Sequence, residues 1–160
     1  KNLTMFGNLA KHCNKYGLMI NFGSGAEFDR RRNIVKASEM ELSDNHPVDY
    51  YGLSKRIITE EIYRSKNIFN LRLFGCFGFH EAPNRFIKAS LNRLKQGDKI
   101  LIHENKFMDF FFVEDLCRIV EYYINMEHTW FRLHKDVNMC YKEKISLYEI
   151  AELILSLIHI

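Results

Sequence analysis

No two of the four cysteines, Cys13, Cys76, Cys117 and Cys140, stand close enough to make a Cys-x-x-Cys pair, and none shares a ligand spacing with a histidine. That argues against structural zinc and against the disulfide framework of a small secreted domain. The seven histidines, His12, His46, His80, His103, His128, His134 and His159, lack metal-ligand spacing as well, and none is assigned a metal or catalytic role. No apolar run approaches the roughly 20 residues that a bilayer-spanning helix needs, and no secretory leader is visible. A protein of the reducing cytoplasm, with no membrane partner, is the expectation. Charge of one sign is scarce too: 23 Lys and Arg against 20 Asp and Glu give a net +3, too little to argue for nucleic acid. The basic run Arg30, Arg31 and Arg32 has no aromatic residues interleaved with it, so it reads as a solvated loop. Internal repeats and low-complexity linkers are missing.

What is present is an ordinary soluble composition, 47% hydrophobic and 27% charged over 160 residues, one domain's worth of chain with enough length to bury a core. The spacing of Leu3, Phe6 and Leu9 predicts a helix that stops at Gly17. LMINFGSG is a short apolar run broken by glycines and predicts a buried strand. The polar stretch from 27 to 47 reads as a long surface loop. Pro47 and Asp49 prepare a helix from about 49 to 66. NIFNLRLFG predicts a second buried strand, 84–96 a helix closed by Gly97, and DKILIH a short strand. MDFFFVEDLCRIVEYYIN predicts a strand, with Phe110, Phe111 and Phe112 buried, passing into a helix near Val113. DVNMCY predicts a further strand. Ser146 and Glu149 predict a capping box for a last helix. Helices and strands in alternation imply an α/β protein with a parallel sheet.

In such a sheet, ligands sit beyond the carboxyl ends of the strands. Ser24 stands at the end of one, and DYYGLSK puts Tyr51 and Lys55 one turn apart on the next helix, facing the same way. A free phenol titrates near ~10, too high for a base at neutral pH, but a neighbouring ammonium favours its ionised form. A serine hydroxyl can hold a substrate oxygen while the tyrosine gives or takes the proton. Small residues at Gly52 and Ser54 leave room for a flat cofactor or a sugar. The three residues together suit alcohol–ketone interconversion.

The chain resembles the extended short-chain dehydrogenase/reductase family, specifically the NAD-dependent nucleotide-sugar epimerases and dehydratases. FGSGAEF is similar to the strand-end serine motif, with Ser24 at the Ser/Thr position and Phe28 where tyrosine is usual. YGLSK matches Tyr-x-x-x-Lys at Tyr51 and Lys55. LRLFGCFG matches the later Arg-x-x-Asn-x-Tyr-Gly segment at Arg72 and Gly78, with Gly75 at the asparagine. MDFFFVEDL matches at Asp109, Phe110, Val113 and Asp115, with Met108 where an arginine that grips phosphate is frequent. Four motifs in the family's order span nearly the whole chain.

The resemblance implies a Rossmann-like, doubly wound parallel sheet with part of a small substrate-binding region. It implies NAD or NADP as cofactor, a nucleotide-sugar substrate and a homodimeric parent. It assigns Ser24, Tyr51 and Lys55 as catalytic, with Tyr51 and Lys55 also on the cofactor and Ser24 on the substrate. The Gly-rich turn that meets the pyrophosphate in such folds does not occur in these 160 residues. Residues 1–160 are therefore expected to be the C-terminal portion of the domain, truncated at the N-terminus and inactive by themselves. LSLIHI, residues 155–160, is what the opening bases of a common transposase sequencing adapter encode, and is expected to be non-native. Two alternatives stand beside the epimerase/dehydratase reading. One is a reductase of a smaller carbonyl, which Met108 favours, and the other is a non-catalytic Rossmann-type binding or regulatory protein.

Overall fold

The computed structural model describes residues 1–32, 34–44, 46–126 and 129–157. His128, His159 and the final three residues of LSLIHI lie outside them. The chain separates into two compact units, Lys1–Phe74 with Asp115–Met139, and Gly75–Glu114 with Cys140–Ile160.

The first unit is built on a three-stranded, wholly parallel sheet. Its strands are β1 (Met19–Ser24), β2 (Ile68–Leu73) and β6 (Asp136–Met139), in the order β1-β2-β6. The central strand β2 buries Ile68, Phe69 and Leu71, which explains why it reads as a continuous apolar run rather than an alternating one. Helix α1 (Asn2–Ala10) packs Phe6 against Ile58 and Ile62 of α2 (Tyr50–Arg64) and against Ile68. Asp49 caps α2 by accepting the Gly52 N–H at 2.7 Å, so the helix begins where its N-cap residue predicts. Helix α4 (Val113–Asn125) runs into this unit from Asp115 onward.

The second unit is made of shorter pieces. Strands β3 (Cys76–Phe77) and β5 (Phe111–Phe112) pair in parallel, while β4 (Phe107–Met108) and β7 (Ile145–Ser146) pair antiparallel. Phe111 is buried and stacks on Tyr141 with centroids 4.8 Å apart, and Phe112 tilts against Phe77 at 5.3 Å. Helix α3 (Phe86–Lys95) and helix α5 (Leu147–Ser156) complete the unit. The capping box of α5 is formed: Ser146 Oγ accepts the Glu149 N–H, and Glu149 returns an acceptor to the Ser146 N–H at 2.7 Å.

Three local expectations change. The first helix ends at Ala10 rather than at Gly17, and a short 3-10 turn, Cys13–Lys15, follows. The reason is remote in sequence: the Asn67 amide donates to the carbonyls of Cys13, Tyr16 and Gly17, each at 2.9 Å, giving this segment partners outside a helix. DKILIH forms no strand. No ladder partner lies beside it among the described residues, and the Lys99 carbonyl accepts from Arg93 Nε instead. The loop from 27 to 47 is partly ordered into a 3-10 turn, Glu39–Asp44, and the loop's first residues, Glu27, Phe28 and Asp29, are buried rather than at the surface. Its arginines are ion-paired at the surface, Arg30 with Asp49 and Arg31 with Asp29.

Candidate active site

Ser24 is the last residue of β1 and the N-cap of the 3-10 turn that follows. Its hydroxyl accepts the Ala26 N–H at 3.2 Å, which leaves the hydroxyl proton free to be donated. Its own N–H donates to Glu27 Oε1 at 2.8 Å. The turn is thus closed from both sides as a capping box.

The start of α2 lies on this turn. A Cβ added to Gly52 would stand 2.1 Å from the Ala26 carbonyl oxygen, a distance no side chain tolerates. Glycine at position 52 is therefore the condition for the start of α2 to lie against the residues after Ser24. Tyr51 is 49% exposed. One turn along, Lys55 Nζ donates to the Phe22 carbonyl at 2.7 Å, two residues before Ser24 on the same strand. Ser24, the first turn of α2 and Lys55 are thereby gathered at the carboxyl end of β1.

Beneath the turn lies a polar cluster that pattern reading missed. Glu27 and Arg72 are wholly buried and Asp136 is 6% exposed. Arg72 bridges the two carboxylates, to Glu27 Oε2 at 3.1 Å and to Asp136 Oδ2 at 2.5 Å, and donates to Asn138 Oδ1 at 2.7 Å. Thr59 of α2 donates to Glu27 Oε2 at 2.8 Å and accepts from Asn70, which also donates to Asp136. Tyr63 donates to the same Asp136, and burial, with the carboxylate beside it, pushes its hydroxyl up to about 12. The available signal was Arg72 itself, a charge inside a strand that otherwise reads as buried.

In the second unit, Gly75 stands where the resemblance puts asparagine. A Cβ there would lie 2.4 Å from the Asp109 carbonyl oxygen, so the backbone fills the space a side chain would take. Asp109 itself accepts from Lys144 Nζ at 2.5 Å, and Met108 pairs across the ladder with Ile145. Among the described residues no group of three or more His, Cys, Asp or Glu side chains could hold a metal ion. No described helix is long and apolar enough to cross a membrane.

Residues 1–135 match the family described as the NAD dependent epimerase/dehydratase family. None of the curated proteins matches the sequence. Among solved structures, the UDP-N-acetylglucosamine 4-epimerase of Bacillus cereus superposes with a TM-score of 0.79 at 22% identity, covering 97% of this chain and 54% of that one. UDP-glucuronic acid 4-epimerase from the same organism, in complex with UDP-glucuronic acid and NAD, gives 0.77 at 16%, covering 100% and 52%. A GDP-L-fucose synthetase from Naegleria fowleri, bound to NADP, gives 0.76 at 16%, covering 99% and 54%. These likenesses establish the Rossmann-like fold, and the chain spans about half the length of each.

Proposed function

Since the chain belongs to the NAD-dependent epimerase/dehydratase family, we propose that the natural protein carrying it epimerises, dehydrates or reduces a nucleotide-activated sugar, with NAD or NADP as the hydride carrier. The observation that carries this reading is the anchoring of the start of α2 on the end of β1. Gly52 lies against Ala26, and Lys55 is bonded to Phe22. Tyr51 gives or takes the proton of the sugar hydroxyl, and Ser24 donates its free hydroxyl hydrogen to the reacting oxygen. Lys55 holds a ribose hydroxyl. A phenol and an ammonium one turn apart suit the ribose end of a dinucleotide, so the donor set fits the cofactor. NAD or NADP, when bound, supplies the carbon that accepts and returns hydride.

Exposed apolar residues on α1 and α2, among them Met5, Leu9 and Leu53, support a homodimeric parent, which sedimentation equilibrium would test. A second reading, reduction of a smaller carbonyl, is favoured by Met108, an apolar side chain where a phosphate-gripping arginine is frequent. Turnover of UDP-, GDP- and dTDP-hexoses against simple carbonyls separates the two. Tyr51→Phe in the natural protein should lower turnover by about a hundredfold, the scale of a positioned acid–base group, with dinucleotide affinity retained by titration calorimetry. Turnover within a few-fold of wild type would remove Tyr51 from this role.

A further inference from the structure

Glu27 is an unusual capping residue. At a helix start the N3 glutamate of a capping box is commonly bathed in water, whereas this one is completely buried. Burying a carboxylate is costly unless both oxygens are hydrogen-bonded and a counter-charge is near. Here both conditions hold. Oε1 takes the Ser24 N–H, and Oε2 takes the Thr59 hydroxyl and the Arg72 guanidinium. One side chain therefore ties the last residue of β1 to α2 through Thr59 and to β2 through Arg72. Arg72 carries the tie on to Asp136 of β6.

A turn needing only a cap would be served by a solvated glutamate at a fraction of the desolvation cost. An apolar core of the same volume would commonly be as stable as a buried ion pair. What the buried cluster supplies is direction. Thr59 Oγ1 accepts from Asn70, so its proton is committed to Glu27. Arg72 is fixed from three sides by Glu27, Asp136 and Asn138, with its guanidinium carbon 5.5 Å from the Phe28 ring centre. With every donor assigned, the Glu27 carboxylate has one orientation, and so does the Ser24 backbone it holds.

We propose that Glu27 is the positioning residue for Ser24, with Thr59 and Arg72 fixing its carboxylate, so that the serine hydroxyl is held in register with the helix bearing Tyr51. The inference rests on the reading of Ser24 given above, and the test separates the two. In the natural protein, Glu27→Gln keeps an acceptor for the Ser24 N–H and leaves Arg72 paired with Asp136, so it should fold. Turnover is expected to fall about tenfold with KM within about twofold, and adding Ser24→Ala to it should cost less than about threefold more, because residues acting as one unit are not additive. Hydrogen exchange at the Ser24 amide, read by NMR, should quicken at least about tenfold as the carboxylate acceptor is replaced by a weaker one. Thr59→Val should reproduce both effects in milder form, and Thr59→Ser should restore them.

Losses for Glu27→Gln and Ser24→Ala that multiply, or unchanged exchange at Ser24, would overturn the inference and leave the function proposed for the site intact. A Ser24→Ala variant with full turnover would instead overturn the functional reading, while the exchange result still reports whether Glu27 anchors the turn. If Glu27→Gln does not fold, the Thr59→Val and Thr59→Ser pair decides by the same two measurements.

Discussion

The two units of this chain solve one problem by different means. In the first, strands of six, six and four residues form a parallel sheet, and β2 at its centre buries an arginine among apolar side chains. In the second, the strands are two residues long, and order comes from stacked aromatics, a capping box and a lysine–aspartate pair. Where strands are long enough to enclose a core, charges can be placed inside it and held in one arrangement. Where they are short, charges stay near the surface and packing of rings does the holding. Residues of a candidate reaction centre belong to the first kind of region, because only there can a turn be fixed from below.

The largest expected break in that contrast is at Arg72. Arg72→Met leaves Glu27 and Asp136 buried without the cation between them, and should cost about 3–5 kcal/mol, the scale for one partner lost from a buried ion pair. Urea denaturation followed through Trp130, the chain's one tryptophan and a residue of the same unit, reads it. A loss below about 1 kcal/mol would mean that the cluster is not held together by charge.

The two close-approach glycines sharpen the contrast next. Gly52→Ala and Gly75→Ala each force a methyl group onto a backbone carbonyl that cannot rotate away, 2.1 Å and 2.4 Å distant. Each should cost about 1–3 kcal/mol by overpacking, measured by denaturant midpoint. Gly52→Ala should in addition depress turnover, because it pushes the start of α2 off the Ser24 turn. Equal effects on turnover at both positions would erase the functional distinction between the units.

Ser146→Ala tests the second unit by itself. Removing the cap of α5 should cost about 1 kcal/mol, seen as a lower thermal midpoint by circular dichroism. The smallest effect is expected at Asp29. Hydrogen bonds from the Arg31 side chain, and then from its backbone N–H, hold the Asp29 carboxyl at about 2 instead of its ordinary 3.8. A lowered value means that the ionised form favours the fold. Its contribution is therefore complete above the ordinary value and fades as the pH falls through 2. Asp29→Asn should flatten the acid limb of the stability profile between those two values by lowering stability at neutral pH, a small loss because the pair is screened by solvent.

The boundary between what the sequence conveys and what it conceals follows the same division. LMINFG and NIFNLRLFG announce β1 and β2 because strands buried on both faces are written as apolar runs. Asp49 announces α2, and the Ser146–Glu149 pair announces α5, because caps are local chemistry. Two-residue strands such as β3 and β4 leave no periodicity to find, and DKILIH has strand composition without a strand beside it. The end of α1 is decided by Asn67, some fifty residues on. At the candidate site, Ser24, Tyr51 and Lys55 are visible as residue types at a strand end and a helix start. Glu27, Thr59 and Asp136 are not, since nothing in their spacing says that they join one buried network around Arg72.

Lys55 has a consequence outside chemistry. The Met19 N–H donates toward β2, to Asn67, so by the alternation of a parallel ladder Ile20 and Phe22 turn their backbone groups the other way. Among the described strands β1 has a neighbour on one side only, and the side chains of Ile20 and Phe22, on one face of the sheet, line an apolar groove of about 490 Å³ with Val120 and Ile124. In residues 1–160 by themselves, an open strand edge is a template for pairing with another strand. The ammonium of Lys55 sits on the Phe22 carbonyl, so an extended peptide arriving there meets a positive charge and an acceptor already taken. In residues 1–160 taken by themselves, replacing this lysine would free the Phe22 carbonyl to accept an incoming strand, and solubility would fall.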